Sequence, residues 1–225
     1  MTRKASETSA NVATSVMVAA AATPGHPAES ALVAGVLTAL QPLLERGLNR
    51  MFDVLRLGAQ KGNRTPEELV EVLGASPEQE ELLFRALDAA RVAASERKRN
   101  ALADSLLRGA LSSEAALGET QFVRLLEDLD EAHIAVLKVL SRPNQLLIQG
   151  QRVEQPGYVI ADLDSVLPQL RGHHERVLAV LVGNGLVRVQ SRVDLFQQAF
   201  PMWLITDYGL AVLGRLEEGE GAKRP

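Results

Sequence analysis

The chain has 225 residues, 46% of them hydrophobic and 23% charged, with a net charge of −4 and no cysteine. That length holds one large domain or two small ones with real cores, and the lack of thiols excludes disulfides, thiolate nucleophiles and cysteine-type zinc sites, which fits a reducing cytoplasm. The acidic balance provides no global field toward nucleic acid or anionic lipid, so any such contact needs a local patch.

Aromatic residues are only 4% of the chain, which leaves the core to Leu, Val and Ala and favours helices. Two basic residues precede an Ala-rich start, but Thr14 and Ser15 interrupt it and Glu7 stands before it, so a cleaved signal is not expected. Residues 8–28 are uncharged and end near Pro24-Gly25-His26-Pro27, a turn. Leu32, Val36, Leu40, Leu44, Leu48 and Phe52 then recur at helical spacing, with Pro42 expected to kink or divide the helix near Gln41. An Ala-, Ser- and Thr-rich arm yields little transfer energy into a bilayer, so residues 8–57 are expected to pack within the protein or against a second copy of the chain rather than in a membrane.

Thr65, Pro66 and Glu68 form a helix-start signal, Gly74 closes that helix, and Ser76, Pro77 and Gln79 repeat the signal. Leu82, Leu83, Ala86, Leu87 and Ala90 give the next helix a buried face, and a further helix starts near Ser95. The basic run Arg97-Lys98-Arg99, with Arg91 and Arg108, reads as a solvated helix face. Gly118 is expected in a loop, with a helix resuming over Glu119–Leu129. Residues 1–125 thus read as a helical domain that serves oligomerisation.

The texture then changes. Residues 130–142 form a helix stopped by Pro143, and residues 145–160 have extended and turn character. Two short helices follow, the second ended by Asn184-Gly185. Residues 186–191 and 201–206 alternate as strands, with a connecting segment between them. Thr206 caps a last helix, Asp207 favours its dipole, and Gly209 lets it lie close to a neighbouring backbone. Trp203 and Tyr208 are expected in the core, and residues 217–225 as a disordered tail.

The order helix, helix, helix, strand, wing, strand, helix resembles that of bacterial winged-helix transcriptional regulators over residues 130–216. Leu204, Thr206, Gly209 and Val212-Leu213 match their pattern leading out of the second wing strand, and the Asn-Gly turn before Leu186 matches as well. The segment Asn144–Ile160 is longer than such modules need. The resemblance implies a mainly α fold, an N-terminal helical domain followed by a C-terminal winged-helix domain over residues 126–216. A fainter similarity links residues 96–143 to the layout of the abortive-infection alpha family of phage-defence proteins, which implies a defence protein with membrane activity.

If the winged helix reads DNA, Arg171, His173, His174 and Arg176 at the start of the third helix meet the bases, and Arg188 and Arg192 of the wing reach phosphates. Against this, residues 131–215 carry Lys138 and seven arginines against seven acids, a balance of about +1, and Ala179, Val180 and Gly183 give that helix an apolar outer face. Such a face suits a protein partner. Adjacent His173 and His174 point about 100° apart on a helix and do not chelate one ion together. No glycine run has phosphate-loop or dinucleotide spacing, and no serine sits in a nucleophile elbow. The sequence therefore reads as a non-enzymatic regulatory protein without cofactor or metal. Duplex DNA, a protein partner and self-association remain open as its partners.

Overall fold

The computed structural model describes residues 27–148, 151–155, 157–193 and 199–221. The Ala-rich start and the connection at 194–198 lie outside them. The fold is mainly helical, with two small antiparallel strand pairs. The chain divides into two compact units, Met1–Asn49 and Arg50–Pro225.

Helix α1 spans Pro27–Lys61 and is not divided at Pro42. Proline there removes one donor and crowds the preceding turn, yet the pattern of apolar residues continues through it. In the first unit Leu43, Leu44 and Leu48 are exposed. In the second, Val54 and Ala59 are buried, and Lys61 Nζ lies 2.6 Å from Asp104 Oδ1. Asn63, with φ 56°, ends the helical run.

Helix α2 (Pro66–Leu73) starts as its sequence expects: Thr65 Oγ1 accepts from the Glu68 amide at 3.2 Å, and Glu68 Oε2 accepts from the Thr65 amide at 2.8 Å. Helix α3 (Pro77–Val92) is capped by Ser76, but the Gln79 side chain does not complete a capping box. It donates to the buried Gly109 carbonyl at 3.1 Å instead, tying α3 to the end of α4 (Glu96–Gly109).

Helix α5 runs unbroken over Ser113–Asp128, through Gly118, where a loop was expected. The break lies earlier, at Leu111-Ser112, because Ser112 accepts from the Ala115 amide at 3.1 Å and caps α5. Helices α3, α4 and α5 pack around Leu82, Leu102, Leu106 and Leu126, each less than 2% exposed. The basic run of α4 is not a solvated face. Arg97 pairs with Glu131, Lys98 donates to the Leu129 carbonyl, and Arg99 donates to the Ala93 and Ala94 carbonyls. Burial pushes the Lys98 ammonium below its ordinary pKa, with the nearby acids, Asp130 first, opposing.

Helix α6 (Glu131–Leu140) begins at Asp130, which accepts from the Ala132 and His133 amides. A hairpin follows, β1 (Asn144–Ile148) and β2 (Gln151–Gln155), in the register Asn144↔Gln155. This hairpin accounts for the extra length noted in the sequence. Helix α7 (Ile160–Val166), a 3₁₀ turn at Pro168–Leu170 and helix α8 (His174–Gly183) come next. Strands β3 (Val187–Val193) and β4 (Ala199–Ile205) pair antiparallel, with Val189 opposite Trp203. Helix α9 spans Asp207–Gly221 and so continues past Leu216, where the disordered tail was expected. Its added turn is held by Lys138–Glu217 and Arg108–Glu218 ion pairs. Among the described residues no helix is long and apolar enough to cross a membrane.

Candidate functional site

Two hydrogen bonds join Tyr158 to β4: its amide donates to the Trp203 carbonyl at 3.0 Å and its carbonyl accepts from the Trp203 amide at 2.9 Å. Tyr158 thus adds a one-residue strand beside β4, giving the spatial order Tyr158, β4, β3. The chain peels away after this bridge to start α7, and Pro201, on the same edge, has no N–H to extend the pairing. Asp162 fixes the departure. Its Oδ2 accepts from Asn144 Nδ2 at 2.8 Å and from the Val159 amide at 3.3 Å. Neither Asp162 nor Asn144 stands out in the sequence, because the two are joined only by the fold. Burial raises the Tyr158 phenol above its ordinary pKa, and the Asp162 charge adds to this against Arg142.

The start of α9 is locked to the end of α8. Thr206 Oγ1 accepts from the Gly209 amide at 2.9 Å, and its hydroxyl faces the Gly185 and Leu186 carbonyls at 2.8 and 3.1 Å. Gly185 turns the chain with φ 71°. A Cβ on Gly209 would overlap the Leu186 carbonyl, so the close approach expected there is met by glycine. Trp203 is buried, whereas Tyr208, expected in the core, is 51% exposed on the outer side of α9.

The six residues singled out for DNA contact do not form one set. Arg171 and His173 are exposed on the turn leading into α8, and Arg176 is exposed on its first turn. His174 is not at the surface: it is 1% exposed, with Nε2 3.2 Å from Asp164 Oδ1 of α7. The helical phase that turns Val177, Leu178 and Leu181 inward turns His174 inward too, so it cannot reach a base. Arg188 and Arg192 are exposed on β3, two and four residues along one face with Gln190 between them. Among the described residues Arg171, Arg176, Arg188 and Arg192 have no ion-pair partner, unlike Arg97, Arg124 and Arg215. Beyond Arg176, α8 exposes Ala179, Val182 and Gly183, with Val180 half-buried.

No group of three or more metal-binding side chains is present among the described residues. The groove beside Trp203 is lined by Val159, Ile160, Ala161, Phe200 and Pro201 and carries no titratable side chain. No family model, curated protein or solved structure matches the chain.

Proposed function

We propose that residues 126–216 form a winged-helix module and that the chain is a non-enzymatic, cytoplasmic regulatory protein that binds another protein through it. The module reading is supported by the order α6, Tyr158 strand, α7, α8, β3, β4 and by the antiparallel arrangement of Tyr158, β4 and β3. The observation that carries the choice of partner is the outward face of α8. Arg176 is followed by Ala179, Val182 and Gly183, and Glu175 stands beside it. A helix seated in a DNA groove presents donors to phosphates and base edges. This face presents the Arg176 guanidinium, the Glu175 carboxylate and an apolar surface, and a carboxylate opposes a phosphate backbone while the apolar part suits a protein interface.

Duplex DNA is the second reading, and the exposed arginines at 171, 176, 188 and 192, which pair with no acid among the described residues, favour it. Titration of duplex DNA with the full chain at about 50 and about 150 mM salt separates the two. The protein-partner reading expects weak, sequence-independent binding that disappears at the higher salt. A sequence-selective complex that survives there overturns it and establishes the repressor reading.

We also infer that the chain associates with itself through its N-terminal helices, a reading supported by exposed Leu43, Leu44 and Leu48 in the first unit. Light scattering at high micromolar concentration tests it, and a monomer there rejects it.

A further inference from the structure

Strand β3 enters its sheet through one edge only. Trp203 spends both its N–H and its C=O on Tyr158, so in an antiparallel ladder its partner Val189 is not hydrogen-bonded to β4. The Thr206 amide donates to the Leu186 carbonyl at 3.0 Å, which fixes the same parity from the other end. By alternation, Val187, Val189, Ser191 and Val193 direct their backbone donors and acceptors away from β4. Among the described residues no strand covers that edge, and residues 188–192 are all exposed.

The side chains along this edge have one sign. Arg188 and Arg192 share a face, Gln190 lies between them, and neither β3 nor β4 contains an acid. Among the described residues neither arginine has an ion-pair partner. Charges on an edge strand ordinarily prevent sheets from joining, and two copies of β3 laid side by side would oppose like charges. A strand carrying carboxylates meets no such barrier. Opposite charges directly across a strand pair attract, while the backbone bonds supply affinity.

We propose that the open edge of β3 accepts an extended acidic segment of a partner protein by strand addition. The segment carries two carboxylates four residues apart, about 13 Å along a strand, opposite Arg188 and Arg192. This rests on the protein-partner reading and gives that partner a chemistry and a docking edge.

The test uses the full chain, isotope-labelled for amide NMR, and a capped peptide of sequence Thr-Glu-Val-Thr-Val-Glu-Thr. The expected result is a shift and slowed hydrogen exchange of the Val189 and Ser191 amides. The double substitution Arg188→Glu, Arg192→Glu should weaken binding about tenfold or more, and a peptide with lysines in place of the glutamates should then bind that variant in preference. Ser191→Pro, which removes one outward donor, should weaken the acidic peptide while the Trp203 near-ultraviolet signal stays unchanged. Peptide shifts confined to α8 around Arg176 overturn the strand-edge site while leaving the protein-partner reading standing. Absence of peptide binding overturns it as well. If duplex DNA then binds selectively at about 150 mM salt, the protein-partner reading falls with it.

Discussion

Arg215 Nη2 lies 2.5 Å from Glu119 Oε2, and the guanidinium sits 3.5 Å above the Phe122 ring. The same group reaches Ser105 Oγ at 3.4 Å, so one side chain of α9 engages both α4 and α5. The two side chains are 23% and 11% exposed, which leaves little water to compensate for a missing partner. The expected domain boundary near residue 125 is therefore bridged: the last helix packs back onto the helical body rather than extending from it.

Glu119→Ala should destabilise the protein by about 2–4 kcal/mol, because it leaves the Arg215 charge partly buried and unpaired. Replacing both residues, Glu119→Ala with Arg215→Met, should cost less than the sum of the single changes, since no orphan charge remains. Urea unfolding of the four proteins gives the coupling. Strict additivity would show that the pair contributes no coupling energy.

Glycine-to-alanine changes should have opposite signs at two positions. Gly118 lies in the interior of α5 with nothing near the space a Cβ would fill, so Gly118→Ala should stabilise by about 0.5–1 kcal/mol. Gly209→Ala should destabilise, because its Cβ overlaps the Leu186 carbonyl and the start of α9 must shift. Thr206→Ala, removing the cap at the same junction, should cost about 1–2 kcal/mol. Thermal unfolding midpoints order the three variants, and a Gly209→Ala protein as stable as the parent refutes the close approach.

These positions also show where the sequence could be read and where it could not. Thr65, Ser76 and Thr206 act on amides three residues away, so each cap is written in a window of four residues. Gly118 misleads because glycine is a loop residue only when nearby chemistry agrees, and here Ser112 had already begun the helix. The side chain of Gln79 serves a carbonyl 30 residues away, and Arg215 serves a carboxylate 96 residues away. Nothing in a single sequence records those separations. The arginines of the candidate surface were singled out from the winged-helix resemblance, and that they pair with no acid among the described residues became visible only in the fold.

Asp130 gives a pH test at the start of α6. Partial burial pushes its carboxyl upward, but hydrogen bonds from the His133 and Ala132 amides and the contact with the His133 ring outweigh this and hold it below the ordinary 3.8. A carboxyl lowered in the folded state adds stability above its unfolded pKa, and that stability is lost as pH falls through the folded value. Asparagine at a cap keeps the acceptor but does not titrate. Asp130→Asn should therefore leave stability near pH 7 little changed and flatten its decline below about pH 4. Equal acid slopes for the two proteins would show that Asp130 is not linked to folding.

The last prediction separates His174 from His173. His174 is 1% exposed, and neither of its ring nitrogens makes a well-formed hydrogen bond, although Nε2 lies 3.2 Å from Asp164 Oδ1. The two groups are close but misaligned for a hydrogen bond. Asp164 Oδ1 is likewise buried without a hydrogen-bond partner among the described residues, so His174→Leu, which fills the space and removes only the 3.2 Å contact, should cost no more than about 1 kcal/mol. Adding Asp164→Leu removes that already unpaired oxygen and should leave the double variant more stable than His174→Leu alone, because replacing both members of a buried polar pair by apolar groups is close to neutral. His173, exposed one residue earlier, should tolerate alanine within about 0.5 kcal/mol. Binding to any partner should follow a different order: His173→Ala alters it directly if α8 is the contact, while His174→Leu alters it only as far as stability falls. A His174 variant that keeps full stability but loses binding would place that imidazole at the contact surface and refute its burial.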